Sequence, residues 1–316
     1  MDTLLKNNQL VIVDIGASGG IDPRWSKTTE CYKGILFEPD PREFDALKKN
    51  SDNNLIVINS ALSDSNKEIE FHLCKKQEVS SVYPPNFNFL NKFADSERFN
   101  VEKIIHLNAD TLDNQLKKEG IDEVDFIKID TQGYELSILK GSSGCIENVI
   151  GLEVEVEFEP IYIGQPLFSE VDSYVKNKGF ILIDLKRYFW KRNDNKNTGS
   201  SKGQIMFGDA LYFRSPHEVI PWCSSLDKND ASSKLQMACL MGIVYGYLDY
   251  SLCLLNQPSI SEFLEKEIID QWRSLIFNYG KSLHYKGNGA GRFSYLLHLL
   301  YRMFQPTHDG WVSIGQ

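Results

Sequence analysis

The hydrophobic pattern begins with a short apolar run, LVIVD at 10–14, that leads directly into a glycine turn. Similar runs recur at 34–38 (GILFE), 55–59 (LIVIN), 124–130 (VDFIKID), 149–158, 180–185 (FILIDL) and 210–214 (ALYFR). Between them, 41–49, about 134–139 and about 168–178 space their apolar residues at helical intervals. Continuous apolar runs joined by helices imply a parallel sheet covered on both faces. The pattern predicts a doubly wound α/β domain over 1–215, with its ligand at the carboxyl ends of the strands.

Two stretches interrupt this alternation. Residues 63–110 are too long for a plain crossover and hold a further predicted strand at 69–73 and an aromatic, proline-bearing segment, VSSVYPPNFNFLNKF. Residues 191–203 (KRNDNKNTGSSKG) read as a flexible hairpin loop. From 216 to 316 the strand pattern stops, and three helices are predicted at 233–255, 260–279 and 292–304. GNGAG at 287–291 reads as a linker, because a phosphate loop needs a strand before it. The 233–255 helix is apolar nearly all round, so it must be buried on several sides. The expectation is that this C-terminal region packs on its own domain and also forms a homodimer contact.

Composition narrows the function classes. The formal net charge of −9, with no basic patch, argues against nucleic acid as a partner. The most apolar window, 237–255, carries Asp249 and three tyrosines, which suits a buried helix better than a membrane span. The N-terminus does not read as a signal peptide. The six cysteines form no C-x-x-C pair and are expected to be reduced thiols of a cytoplasmic protein, mostly buried. The six histidines show no metal-ligand spacing, and no metal is expected.

Candidate chemistry starts at VDIGASGG, 13–20. Gly16 permits a tight bend after the first strand. The dinucleotide fingerprint G-x-G-x-x-G fails, since its second glycine would fall at Ser18 and its last at Ile21. Those glycines admit a pyrophosphate, so a ligand without one, such as S-adenosylmethionine, fits better than NAD. The second strand ends in Glu38, nineteen positions after Gly19, where a carboxylate can accept both ribose hydroxyls.

The fourth strand carries Lys128 and Asp130, and the fifth carries Glu153, Glu155 and Glu157, each set two apart and on one face. Buried charges are costly unless paired. A network of Lys128 with Asp130 and one or two of the glutamates is expected at the carboxyl end of the sheet, where it either fixes register or serves catalysis; position favours catalysis. Asp130 is the leading candidate base, with Glu153 and Glu155 as alternatives and Lys128 tuning them. Glu157 and Glu159 read as a solvated outer face. Tyr83, Phe87, Phe89 and Phe93, with Tyr188 and Trp190, suit the flat faces of a sugar, or a satellite core under a long loop, and both readings stand.

DFIKIDTQGYELSILKG at 125–141, with VDIGASGG, FEPDP at 37–41 and SALSD at 60–64, resembles the FkbM family of S-adenosylmethionine-dependent methyltransferases. The most specific part is K-I-D-x-x-G-x-E, matched by Lys128, Ile129, Asp130, Gly133 and Glu135; the family often has an acidic residue where this chain has Gln132. The resemblance covers about 10–215. It implies a class I methyltransferase fold with strand order 3-2-1-4-5-7-6. It implies the amino-acid end of the cofactor near Gly16, Ala17, Ser18 and Gly19, the ribose at Glu38 and the adenine near Ala61 and Leu62, with Asp14, Pro39 and Ser60 completing that set. The implied reaction is O-methylation of a sugar, glycoconjugate or natural product. The alternatives are a non-catalytic scaffold that keeps the cofactor fold and a NAD-dependent oxidoreductase.

Overall fold

A computed structural model describes residues 9–17, 19–22, 24–25, 32–51, 54–195, 203–282, 292, 294–297 and 300. The main sheet has seven strands: β1 (Leu10–Ile15), β2 (Tyr32–Phe37), β3 (Leu55–Ile58), β7 (Phe126–Ile129), β8 (Gly151–Glu157), β9 (Phe180–Trp190) and β10 (Gln204–Arg214). Their order is β3-β2-β1-β7-β8-β10-β9. Counted within this sheet alone, that is the expected 3-2-1-4-5-7-6. β10 runs antiparallel to both β8 and β9, so one edge departs from the parallel sheet that the apolar runs imply. Strand order reverses between β1 and β7, and that crevice is where such folds hold ligands.

A second sheet of β4 (Ala61–Leu62), β5 (Lys67–Cys74) and β6 (Val101–Asp110), in the order β4-β6-β5, fills the long insertion. The strand expected at 69–73 is part of β5. β6 is absent from the sequence reading because most of it is exposed and it lacks a buried apolar run.

Alternation in β1 divides the core. Val13 and Ile15 join Ile127, Ile129, Leu152 and Val154 beneath α3 (Leu112–Lys118), α4 (Glu135–Lys140) and α5 (Phe168–Lys176). Leu10 and Ile12 join Phe126, Phe213 and the C-terminal helices on the opposite face. Those helices are α6 (Pro216–Cys223), α7 (Lys228–Tyr245), α8 (Leu248–Leu255), α9 (Ile260–Phe263) and α10 (Lys266–Ser282).

The single helix expected at 233–255 is therefore two. Gly246 adopts φ +85°, a left-handed conformation that ends α7 and turns the chain back as α8. α7 has its cover within the chain: Leu235 to Met241 are all buried, and Lys234 Nζ donates to Asp125 Oδ1 at 2.6 Å beside the start of β7. Among the described residues no helix is long and apolar enough to cross a membrane. Cys74, Cys223 and Cys239 are buried, and Cys145 and Cys253 half-buried, all as free thiols. Cys31, the GNGAG segment and much of the expected 292–304 helix lie outside the described residues.

Candidate active site

The carboxyl ends of β1, β2, β7 and β8 open on a pocket of about 410 Å³. Its first wall is the turn after β1. The Gly16 amide donates to Phe37 O at 3.0 Å, and Gly16 has φ +78°. A Cβ there would lie 1.9 Å from the carbonyl oxygen of Asp130, so the neighbouring strand end requires glycine directly. Ala17 is buried against Leu36 and Leu47 and faces away from the pocket's lining. Gly19 does not line the pocket, and Ser18 lies outside the described residues.

Glu38 follows β2 and is held by its own backbone, its amide donating to Ile58 O and its carbonyl accepting from Asn59. Glu38 Oε1 accepts the Asp40 amide at 2.8 Å, and no partner for the second oxygen occurs among the described residues. Burial pushes its carboxyl up to about 7, against the pull of that hydrogen bond. Asp40 caps α1 (Pro41–Asn50), accepting the Arg42 amide and pairing with its guanidinium, which fixes the Glu38–Pro39 corner. Pro39, Ser60, Ala61 and Leu62 continue this wall. The last two are anchored by β4 pairing with Ala109 and Asp110 of β6.

Two polar rows cross the sheet. The lower one is Asp14, Lys128 and Glu153, in register on β1, β7 and β8. Lys128 Nζ lies 3.3 Å from Asp14 Oδ1 and 4.0 Å from Asp130 Oδ2. Burial opposes its charge, but Asp14, Asp130 and Glu153 prevail and hold it protonated well beyond the usual lysine range. Burial raises Asp14 to about 6 in spite of Lys128. Asp14 does not line the pocket and meets it only through Lys128. Glu153 accepts instead from Arg24 at 3.1 Å and from Tyr245 of α7 at 2.7 Å, outside the pocket lining. The expected network thus divides, with Lys128 committed to Asp14 and Glu153 to the helical face.

The upper row is Asp130 and Glu155, with Glu157 above, and all three line the pocket. Gln132 bridges the first two, donating to Asp130 Oδ1 at 3.1 Å and Glu155 Oε2 at 2.6 Å. Its backbone is left-handed, φ 58°. The Tyr162 hydroxyl sits 2.9 Å from Gln132 Oε1 and 3.0 Å from Val79 O, donating to one of them. Glu135 shapes this loop. Its Oε1 accepts the Thr131 amide at 2.8 Å, the Thr131 hydroxyl at 3.0 Å and the Gly133 amide at 3.1 Å, an arrangement whose loss strands donors at about 1 kcal/mol or more each.

The solvated reading of Glu157 is corrected: it is 2% exposed, because β10 pairs along β8 as far as Phe207 and Glu157. Glu159, one step further out, is half-buried and accepts from Gln204. Carboxylate oxygens of Glu135, Glu155 and Glu157 lie within 4.8 Å of one another, a donor set within reach of one cation. Burial drives all three carboxyls upward, Glu135 to about 7.

The far end of the pocket is aromatic, and of the six residues the sequence suggested only Trp190 lines it. Phe93 is buried in a satellite core with Leu90, Phe99 and Tyr162, and Tyr83, Phe87 and Phe89 pack against it. None of those four expected residues lines the pocket; Trp190, Phe99 and Phe207 do. Tyr188 stacks on Phe207, ring centroids 4.5 Å apart, outside the lining. Arg98, also lining, was not identified from the sequence, where it sits without a motif in a short turn before β6.

The family described as "Methyltransferase FkbM domain" matches residues 14–182, more than half of the chain. A relative is 2-O-methyltransferase NoeI of Sinorhizobium fredii (strain NBRC 101917 / NGR234), 26% identical over 181 residues that cover 54% of this chain and 73% of that protein. Among solved structures, the chain is similar to TrmK of M. capricolum in complex with S-adenosyl-homocysteine, with a TM-score of 0.33 and 9% identity, covering 87% of this chain and 95% of that one. It is also similar to the N-terminal domain of EvdMO1 with S-adenosyl-homocysteine bound, with a TM-score of 0.34 and 7% identity, covering 67% and 77%. The chain belongs to the FkbM family of S-adenosylmethionine-dependent methyltransferases.

Proposed function

We propose that the protein methylates a hydroxyl of a sugar, glycoconjugate or related small acceptor, with Glu38 holding the cofactor ribose and Asp130 taking the acceptor proton. The observation that carries this reading is that Glu38 and Asp130 open on one continuous pocket at the point where strand order reverses. The cofactor fits the donors present: the free oxygen of Glu38 suits ribose hydroxyls, and Ala61 and Leu62 offer a small apolar wall for the base. Bound S-adenosylmethionine supplies an electrophilic methyl group on sulfur.

An alcohol is a weak nucleophile, so a base must remove its proton as the new bond forms. Asp130 has its side chain 39% exposed, whereas Glu155 is buried behind Gln132. Gln132 and Lys128 orient the Asp130 carboxylate from two sides, and burial disfavours negative charge on Glu155 beyond it.

A homodimer contact is not needed to cover α7; among the described residues after Arg214, Phe277, Tyr295, Leu296, Leu297 and Leu300 are exposed. Calorimetry tests the cofactor assignment. Glu38→Ala removes charge-assisted bonds worth roughly 1.5–3 kcal/mol, so S-adenosylhomocysteine affinity should fall about tenfold or more. Equal affinity of variant and wild type would remove Glu38 from the ribose site.

A further inference from the structure

Arg98 enters the aromatic end of the pocket with its charge uncommitted. The guanidinium carbon lies 4.5 Å from the Trp190 ring centroid and 5.1 Å from that of Phe99. These rings hold the planar group in place but accept no conventional hydrogen bond from it. The Arg98 Nε is buried and has no hydrogen-bond partner. No carboxylate forms an ion pair with it among the described residues, although Asp95 and Glu97 are near in sequence. Lys128, the other cation in the lining, is already paired with Asp14. A buried N–H on a permanent cation, with no acceptor, is a feature that folded proteins rarely leave unless something fills it.

Its place in the sheet separates it from the cofactor end. Trp190 and Phe207 come from β9 and β10, at the opposite edge from β2 and β3, whose ends carry Glu38 and Ser60. Asp130 and Glu155 lie between the two ends.

We propose that Arg98, set against Trp190 and Phe99, is an acceptor subsite for an anionic oxygen group, a carboxylate or phosphate carried by the hydroxyl-bearing molecule. This rests on the methyl-transfer reading above and names the acceptor class as acidic. The planar guanidinium of a pocket-lining arginine suits the oxygens of such a group. Burial raises the carboxyls of Glu155 and Glu157 well above the usual carboxylate range, which disfavours negative charge beside it.

Calorimetry on the full chain, with S-adenosylhomocysteine saturating, tests the subsite with three probes: 4-nitrophenyl glucuronide, 4-nitrophenyl glucoside and glucose 6-phosphate. The glucuronide or the phosphate should bind the wild type at least tenfold more tightly than the neutral glucoside, and whichever leads identifies the anion. Arg98→Met keeps the aliphatic stem and should abolish the preference, while S-adenosylhomocysteine affinity stays within twofold. Arg98→Lys should retain part of it. Equal binding of charged and neutral probes by the wild type, or binding of none, overturns the proposal without reliance on any variant. So does a parallel loss of S-adenosylhomocysteine affinity in Arg98→Met, which would assign the guanidinium to the cofactor. Failure of the wild type to bind S-adenosylhomocysteine would instead overturn the reading on which the subsite rests.

Discussion

Lys128 Nζ lies 3.3 Å from Asp14 Oδ1, so the lysine beneath the pocket neutralises a carboxylate that is almost wholly buried. Removing one partner of such a pair leaves the other as an uncompensated charge. Lys128→Met should therefore destabilise the protein by about 3 kcal/mol in urea unfolding. Asp14→Asn combined with Lys128→Met should recover much of that loss. If the double variant is no more stable than the single one, the two side chains are not coupled.

With the proposed ribose contact, the carboxyl of Glu38 should give cofactor binding a pH dependence. Its value stands at about 7 because burial disfavours the charge. Two ribose hydroxyls donate better to the ionised form, so binding should release a proton. Affinity for S-adenosylhomocysteine should then rise about tenfold between pH 6 and pH 8, in proportion to the ionised fraction. Glu38→Gln should flatten the profile. A wild-type affinity independent of pH over that range would show that the ribose does not engage this carboxylate.

The helices after Arg214 pack on one face of the sheet, meeting Leu10, Ile12, Phe126 and Phe213. Truncation at Arg214 should uncover that face and yield aggregated protein without a cooperative melt. A soluble, cooperatively melting fragment of 1–214 would mean that the sheet needs no such cover.

Much of this was legible from residue types alone. Runs such as LVIVD are buried on both faces, so they announce themselves as strands, and Gly16 and Glu38, singled out from the sequence, both line the pocket. Lys128 and Asp130 stood out because charge is costly where a central strand should be apolar. The rest depended on contacts distant in sequence. Lys128 pairs with Asp14, in register on β1, whereas Glu153, equally in register on β8, turned to Arg24 and Tyr245 because α7 folds back across the sheet. Glu157 looked like the outer end of a strand until the antiparallel β10 covered it. Gly246 read as part of one long apolar helix, since composition does not reveal which glycine takes a left-handed turn. Arg98 had no local signal, as its setting comes from Trp190, far along the chain.

The most direct measurement is methyl transfer by Asp130→Asn, scored with S-adenosylhomocysteine binding on the same preparation. Methyl-labelled S-adenosylmethionine and a hydroxyl acceptor that the wild type turns over serve as substrates. The substitution keeps the shape and an acceptor oxygen for Gln132 but removes the base. Turnover should fall by about 10²–10⁴-fold, while S-adenosylhomocysteine binds within twofold of wild type. Full turnover in Asp130→Asn with binding intact would contradict the assignment of the base and move it to Glu155, the other carboxylate that Gln132 contacts.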